Sequence, residues 1–378
     1  MKTLGLTLFL LLLTLATTNS EAKNTKSDIS AEQIKNQSFQ LKRSPVITKS
    51  SQGTVAPVVL KDDLAVLDAQ GSLYLLNNKN LSDLKWQLNL STKKYIRASL
   101  LYQNNYIFCT IENVVYKIEP KKGKIIWQKE LKAPIKGKVA ILNDVLVALT
   151  VDNYLYAISV KDSNLIWSYQ GNQVEFVKLN SASPIVQDNI IIVPFSSGDL
   201  VAFNEYGAKL WDYKLPTSGF LDHPFTTIIS TPRIQGGKVI VTNGSGIFAL
   251  NLNSGNEIWS QTLSVKAVSE ITKNSVFIIT NDNKVVVLDL LNGQPIWTLE
   301  LAKMDNSTYF NEPVFAQNKL FITTNQGMLM EIDPSAGTIE KVVSIPKGIY
   351  HTLVSSDSSF YVTTNGGGLF KIMRDLYE

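Results

Sequence analysis

Tryptophan recurs at positions 86, 127, 167, 211, 259 and 297, at intervals of 41, 40, 44, 48 and 38 residues. Five of the six close the same short frame, with glycine or serine four residues earlier: Gly123-Lys-Ile-Ile-Trp127, Ser163-Asn-Leu-Ile-Trp167, Gly207-Ala-Lys-Leu-Trp211, Gly255-Asn-Glu-Ile-Trp259 and Gly293-Gln-Pro-Ile-Trp297. Ser82-Asp-Leu-Lys-Trp86 is a weaker copy, and Gly337-Thr-Ile-Glu-Lys341 keeps the glycine but loses the tryptophan. A strand-rich period of roughly 40–45 residues is the signature of a β-propeller, in which each repeat is one four-stranded blade.

One copy shows the unit in full. The run 227–234 reads as an inner strand, Gly236-Gly237 as a turn, Lys238–Thr242 as a second strand and Asn243-Gly244-Ser245-Gly246 as a hairpin turn. Ile247–Leu252 is a third strand, Asn253-Ser254-Gly255 turns again, and Glu257–Leu263 is the outer strand. Gly255 falls where a tight turn asks for positive φ. The six tryptophans 86, 127, 167, 211, 259 and 297 are read as wedges between neighbouring blades, because equivalent rings spread around a ring cannot all serve one ligand.

The intervals from 86 to 341 average 42.5 residues, and the 337 residues from Gln37 to Met373 hold about eight such units. The eighth has strand-like runs at 350–355, 359–364 and 368–373 but no fourth. Residues 38–47 are strand-like and have no blade of their own, so the expected architecture is all-β: an eight-bladed propeller closed by an N-terminal strand on the C-terminal blade. Closure removes the free edges that invite aggregation.

Ahead of the propeller, Lys2 and the 12-residue apolar run Leu4–Leu15 have the form of a secretory signal, too short to span a bilayer. Cleavage is expected after Ala22, with Ser20 the other option. The expected organisation is a signal peptide over 1–22, a polar flexible leader over 23–36 and the propeller over 37–378. Cys109 is the single cysteine, so no internal disulfide can form, and its strand-like surroundings predict burial. The net charge of +4 is thinly spread, and Lys121, Lys122 and Lys124 read as a solvated hairpin tip rather than a nucleic-acid patch.

Candidate chemistry is sparse. The two histidines, His223 and His351, are far apart and neither adjoins a Gly-x-Ser-x-Gly turn. No His/Cys spacing suits a metal, and Asp62, Asp63 and Asp282 sit where aspartate favours turns. No catalytic, cofactor-binding or metal-binding residue is expected.

Phrases such as Ala249-Leu-Asn-Leu-Asn-Ser-Gly-Asn-Glu-Ile-Trp259 and Val287-Leu-Asp-Leu-Leu-Asn-Gly-Gln-Pro-Ile-Trp297 resemble the repeat of pyrroloquinoline-quinone-type propellers. Quinone-dependent members are longer, with adjacent cysteines and an acidic calcium site, and this chain has neither. WD40 repeats end in Trp-Asp, which here occurs only at Trp211-Asp212. Size, an export signal, eight blades and an empty catalytic inventory together resemble the BamB family of outer-membrane assembly factors. That resemblance implies a non-catalytic periplasmic scaffold at the inner face of the outer membrane. It would bind the periplasmic domains of a BamA-like barrel-inserting protein, with unfolded outer-membrane β-barrel proteins as a further expected partner. Many members are lipoproteins, but Leu13–Thr18 holds no cysteine, so recruitment would rest on protein contacts.

Position within the family repeat places the partner-docking groups near Phe176, Lys178 and Leu179, and near Thr227 and Ile229, although the residue types differ from the family's. The longer inter-blade connections 171–180 and 216–225 carry Phe176, Phe220, Leu221 and Phe225, and aromatics on loops of a rigid scaffold are favoured anchors. Two other readings stay open: a degenerate quinoprotein-like enzyme binding a cofactor, and an exported sensor or carbohydrate-binding propeller.

Overall fold

A computed structural model describes residues 23–26, 39–47, 55–91, 97–172, 182–216, 228, 230–301, 308–345, 348–349, 353–356, 359–364 and 368–374. The strands form eight antiparallel sheets, one per repeat. Blades 1 to 7 follow chain order, and their outermost strands are Leu84–Asn89, Lys124–Glu130, Leu165–Gln170, Lys209–Lys214, Glu257–Thr262, Pro295–Glu300 and Ile339–Ser344. First strands line the inner ring, and among the described residues six of the eight neighbouring pairs touch there, the contact between Val58–Val59 and Val354–Ser356 joining blade 1 to blade 8.

Blade 8 is built from both ends of the chain. Val354–Ser356, Ser359–Thr363 and Leu369–Arg374 supply three strands, and Phe39–Arg43 supplies the outermost, antiparallel to the third with Phe39 opposite Arg374 and Arg43 opposite Phe370. This is the closure that the unassigned strand-like run near the N-terminus predicts.

Inner strands are shorter than the sequence suggests. The run 227–234 is expected to be an inner strand; of its described residues only Arg233 and Ile234 belong to one, Arg233–Gln235, while Thr227 and Ile229 lie outside the described residues. Pro57, Pro184, Pro232 and Pro313 each stand immediately before a first strand. Proline brings no N–H and is tolerated at a strand start or edge, so it sets where pairing begins. Second strands such as Val145–Leu149 and Ile190–Pro194 are buried at every position, because a middle strand of a blade is covered on both faces.

The apolar core is divided in eight, one cluster per seam. Trp211, Leu200 and Ile192 of blade 4 pack with Val239, Phe248 and Leu250 of blade 5, and Tyr361 and Leu369 of blade 8 pack with Leu64, Val66 and Leu76 of blade 1. Cys109 is fully buried in the seam between blades 1 and 2, and burial pushes its thiol well above the usual range.

Within the segment read as a flexible leader, Lys23–Lys26 is a strand. It lies parallel to the outermost strand of blade 6, giving that sheet five strands.

Candidate functional site

Each indole meets the next blade in the same way. Its Nε1–H donates to a carbonyl in the turn between the third and outermost strands: Trp86 to Pro120 (2.6 Å), Trp127 to Val160 (2.9 Å), Trp167 to Glu205 (2.7 Å), Trp211 to Leu252 (2.8 Å), Trp259 to Leu290 (3.1 Å) and Trp297 to Pro334 (2.9 Å). In five of the six turns a glycine lies against the ring, and Ser163 takes that place in the turn that receives Trp127. A Cβ on Gly255 or Gly293 would stand 2.6 Å from Trp211 or Trp259, and both glycines hold positive φ, at 71° and 73°. The tryptophans are therefore occupied in holding blades together, with Trp211, Trp259 and Trp297 buried and Trp86, Trp127 and Trp167 half-buried.

The opposite end of the ring carries the connections from one blade to the next together with the hairpins between second and third strands. The segments holding Phe176, Lys178, Leu179, Phe220, Leu221, Phe225, Thr227 and Ile229 leave and re-enter the blades at this end. Those eight residues, and His223 and His351, lie outside the described residues.

The frame around those segments is well defined. The amide of Asn153, on the second-to-third hairpin of blade 3, donates to Asn172 O at 2.7 Å, and its Oδ1 accepts from Ser196 N at 2.9 Å. Asn243, on the same hairpin of blade 5, donates to Pro216 O at 2.7 Å. Each candidate segment thus departs from a carbonyl clamped by a buried asparagine. At the return end, Ser183 Oγ accepts from Lys138 N at 2.8 Å, while Ser183 N donates to Thr231 Oγ1 at 3.1 Å, lacing blades 3, 4 and 5 together. Sequence reasoning missed these four clamps. Their signals were present as Asn in a strand-connecting turn and as the Ser183-Pro184 and Thr231-Pro232 pairs, but each is also ordinary turn chemistry.

Two lysines lie at this end. Lys136 is buried, and its ammonium donates to Ser196 Oγ at 2.9 Å and Pro194 O at 3.3 Å; burial lowers its pKa to about 8. Lys138, from blade 3, is wet but ringed by protein, and desolvation followed by the positive charge of Arg233 lowers its pKa. Arg233 of blade 5 faces Glu312, just before blade 7, at 4.0 Å, with 39% and 44% of their side chains open to water. Desolvation raises Glu312 and also Glu270 of blade 6, against the pull of Arg233 on each. Arg233 thus acts on Lys138 of blade 3, Glu270 of blade 6 and Glu312 before blade 7, and the four groups form an axial cluster of mixed charge. Among the described residues no group of three or more His, Cys, Asp or Glu could hold a metal, and no helix is long and apolar enough to cross a membrane.

The family model for the outer membrane protein assembly factor BamB matches residues 69–268 and 224–375. The chain belongs to the BamB family. An uncharacterised protein of Rickettsia conorii is 23% identical over 364 residues, covering 90% of this chain and 86% of that protein. BamB of Shewanella oneidensis is 21% identical over 280 residues, 72% of this chain and 70% of that one. Among solved structures, BamB from Moraxella catarrhalis superposes with a TM-score of 0.74 at 14% identity, covering 88% of this chain and 98% of that one. The C-terminal WD40 domain of Sif2 gives 0.67 at the same 14% identity, covering 88% of this chain and 98% of that one. At such identities the structural likeness shows the eight-bladed fold alone, and the family model carries the membership.

Proposed function

We propose that this BamB-family propeller is a non-catalytic scaffold of the outer-membrane β-barrel assembly machinery, exported to the periplasm and held at the inner face of the outer membrane by protein contacts. The observation that carries the reading is the family match, which runs through nearly the whole ring. Its proposed partner is a BamA-like barrel-inserting protein, engaged through its periplasmic domains.

The docking surface assigned to that partner is the end of the ring carrying the blade 3 to 4 and blade 4 to 5 connections, with Phe176, Lys178, Leu179, Phe220, Leu221, Phe225, Thr227 and Ile229 as its contacts. The clamps at Asn153, Asn243, Ser183 and Thr231 support this choice, because a binding segment costs less ordering entropy when both its ends are fixed. No cofactor and no catalytic step enter the proposal.

The test is affinity purification of the full chain from detergent-solubilised envelope. A barrel-inserting outer-membrane protein should co-purify, and the paired substitutions Lys178→Glu, which reverses a charge, and Phe220→Asp, which introduces one, should abolish its recovery while leaving the melting temperature unchanged. Recovery of no such protein refutes the scaffold reading; undiminished recovery by the paired variant refutes the assigned surface.

A further inference from the structure

The blades do not present equivalent outer edges. An outermost strand leaves one row of N–H and C=O groups unpaired by its own sheet, and natural sheets commonly protect such rows with lysine. Lys85 does so in blade 1, Lys124 and Lys129 in blade 2, Lys209 and Lys214 in blade 4, Lys341 in blade 7 and Lys42 in blade 8. The outermost strands of blades 3, 5 and 6 carry none.

Blade 6 differs from the other two unprotected edges. At the position after its tryptophan it has β-branched Thr298, where blades 3 and 5 have Ser168 and Ser260, and its strand ends on the carboxylate of Glu300. On this edge lies a fifth strand, Lys23–Lys26, in parallel register: Lys23 opposite Trp297, Asn24 opposite Thr298, Thr25 opposite Leu299 and Lys26 opposite Glu300. Pairing begins after Pro295, which has no N–H to offer.

We propose that the outer edge of blade 6 is a strand-acceptor site for a short, extended, lysine-bearing polypeptide segment bound in parallel, and that Lys23–Lys26 fills it in cis. Recognition is through the main chain, with the carboxylate of Glu300 favouring a cation at the fourth place of the incoming segment. A segment of this chemistry from an unfolded polypeptide competes with the chain's own strand for the same row of backbone groups. The inference rests on the scaffold reading only for the source of that second segment; the edge itself stands on the observed register.

The test uses the full chain with Thr298→Cys and with Lys23–Lys26 replaced by Gly-Ser-Gly-Ser, so that the edge is vacant. The probe is a synthetic peptide of residues 21–30 carrying Asn24→Cys, oxidised with the protein under mild conditions; Cys109 is buried and does not compete. The peptide should crosslink to T298C and not to a Ser260→Cys chain, the same position on blade 5. A short tether gives the native segment an effective concentration of roughly millimolar, so with Lys23–Lys26 restored the crosslink at 0.1 mM peptide should fall about tenfold.

Equal crosslinking at S260C, or no protection by the restored segment, overturns the proposal. Should the Gly-Ser chain fail to fold, hydrogen exchange provides a second reading. Thr25→Pro in the otherwise untouched chain should accelerate exchange at Trp297–Glu300, and unchanged exchange also overturns it. A chain that fails these tests yet still recovers its envelope partner separates this inference from the scaffold reading.

Discussion

Six seams of the ring are closed by an indole, and the two that flank blade 8 are closed by charged groups. Between blades 6 and 7, Trp297 is buried, its ring lies against Gly337 and its N–H reaches Pro334 O at 2.9 Å. Between blades 8 and 1 the matching turn carbonyl is that of Asn78, and it accepts from Lys371 Nζ at 2.8 Å and Tyr361 Oη at 3.1 Å. Between blades 7 and 8 no such carbonyl is available. The third and outermost strands of blade 8 come from opposite ends of the chain, so no turn joins them. There the buried carboxylate of Glu331 takes the guanidinium of Arg374 at 2.5 Å instead. The seam between blades 2 and 3 shows that the two devices are compatible, since Trp127 and Lys117 both donate to Val160 O. The lesson is that a propeller seam needs a donor aimed at a turn carbonyl where a turn exists, and an ion pair where the chain ends interrupt it.

The comparison can be broken most sharply at the indole. Trp297→Ala removes a buried ring and its hydrogen bond and should cost about 3–5 kcal/mol in chemical denaturation. A loss near 1 kcal/mol, the size expected of one net hydrogen bond, would mean that the wedge is dispensable. At the charged seam, Arg374→Ala strands Glu331 in the core; removal of one partner of a buried pair costs about 3 kcal/mol or somewhat more. The paired change Arg374→Met with Glu331→Met should recover most of that loss, and failure to recover would show that the ion pair does more than compensate its own burial.

Buried lysines at the seams also titrate, Lys371 between blades 8 and 1 and Lys136 between blades 3 and 4. Burial lowers the pKa of Lys371 below the ordinary 10.5, and that of Lys136 to about 8. A lysine depressed in the fold binds its proton less well there than in the unfolded chain. Stability should therefore rise with pH from about 8 towards 10.5, because only the unfolded state still holds the extra proton. Urea midpoints across that window should climb, and Lys136→Met combined with Lys371→Met should flatten the climb. The smallest effect belongs to Ser163, which holds φ of 62° in the turn that receives Trp127, where other blades use glycine. Ser163→Gly should stabilise by about 1 kcal/mol, relieving a left-handed backbone that a Cβ disfavours. No gain would show that the serine has another role at this seam.

Legibility varied with the range of the interactions. The strands of blade 5 could be placed nearly to the residue from turn signals, because hairpins are local. The inner strand was overestimated, because β-rich residues near the axis have a pairing partner on one side only. Of the candidate site, the sequence pointed to the long connections between blades 3, 4 and 5 but not to their clamps. Asn153 and Asn243 look like any turn asparagine until the fold brings Asn172 O and Pro216 O beside them. The axial cluster of Lys138, Arg233, Glu270 and Glu312 was invisible for the same reason, its members being spread over four blades.

By itself the sequence determined the period and the number of blades, since both are counts of locally formed hairpins, and it pointed to the closing strand as the one strand-like run left without a blade. Tertiary structure alone decided which glycine serves which tryptophan. The two residues of one Gly-x-x-Ile-Trp frame are not partners: each glycine receives the ring of the blade before it. That explains the two imperfect copies. Ser82 follows a blade with no indole to accommodate, and Gly337 survives beside Lys341 because it must receive Trp297. The period records that a tryptophan recurs, but only the closed ring, by setting blade against blade, fixes what each ring touches.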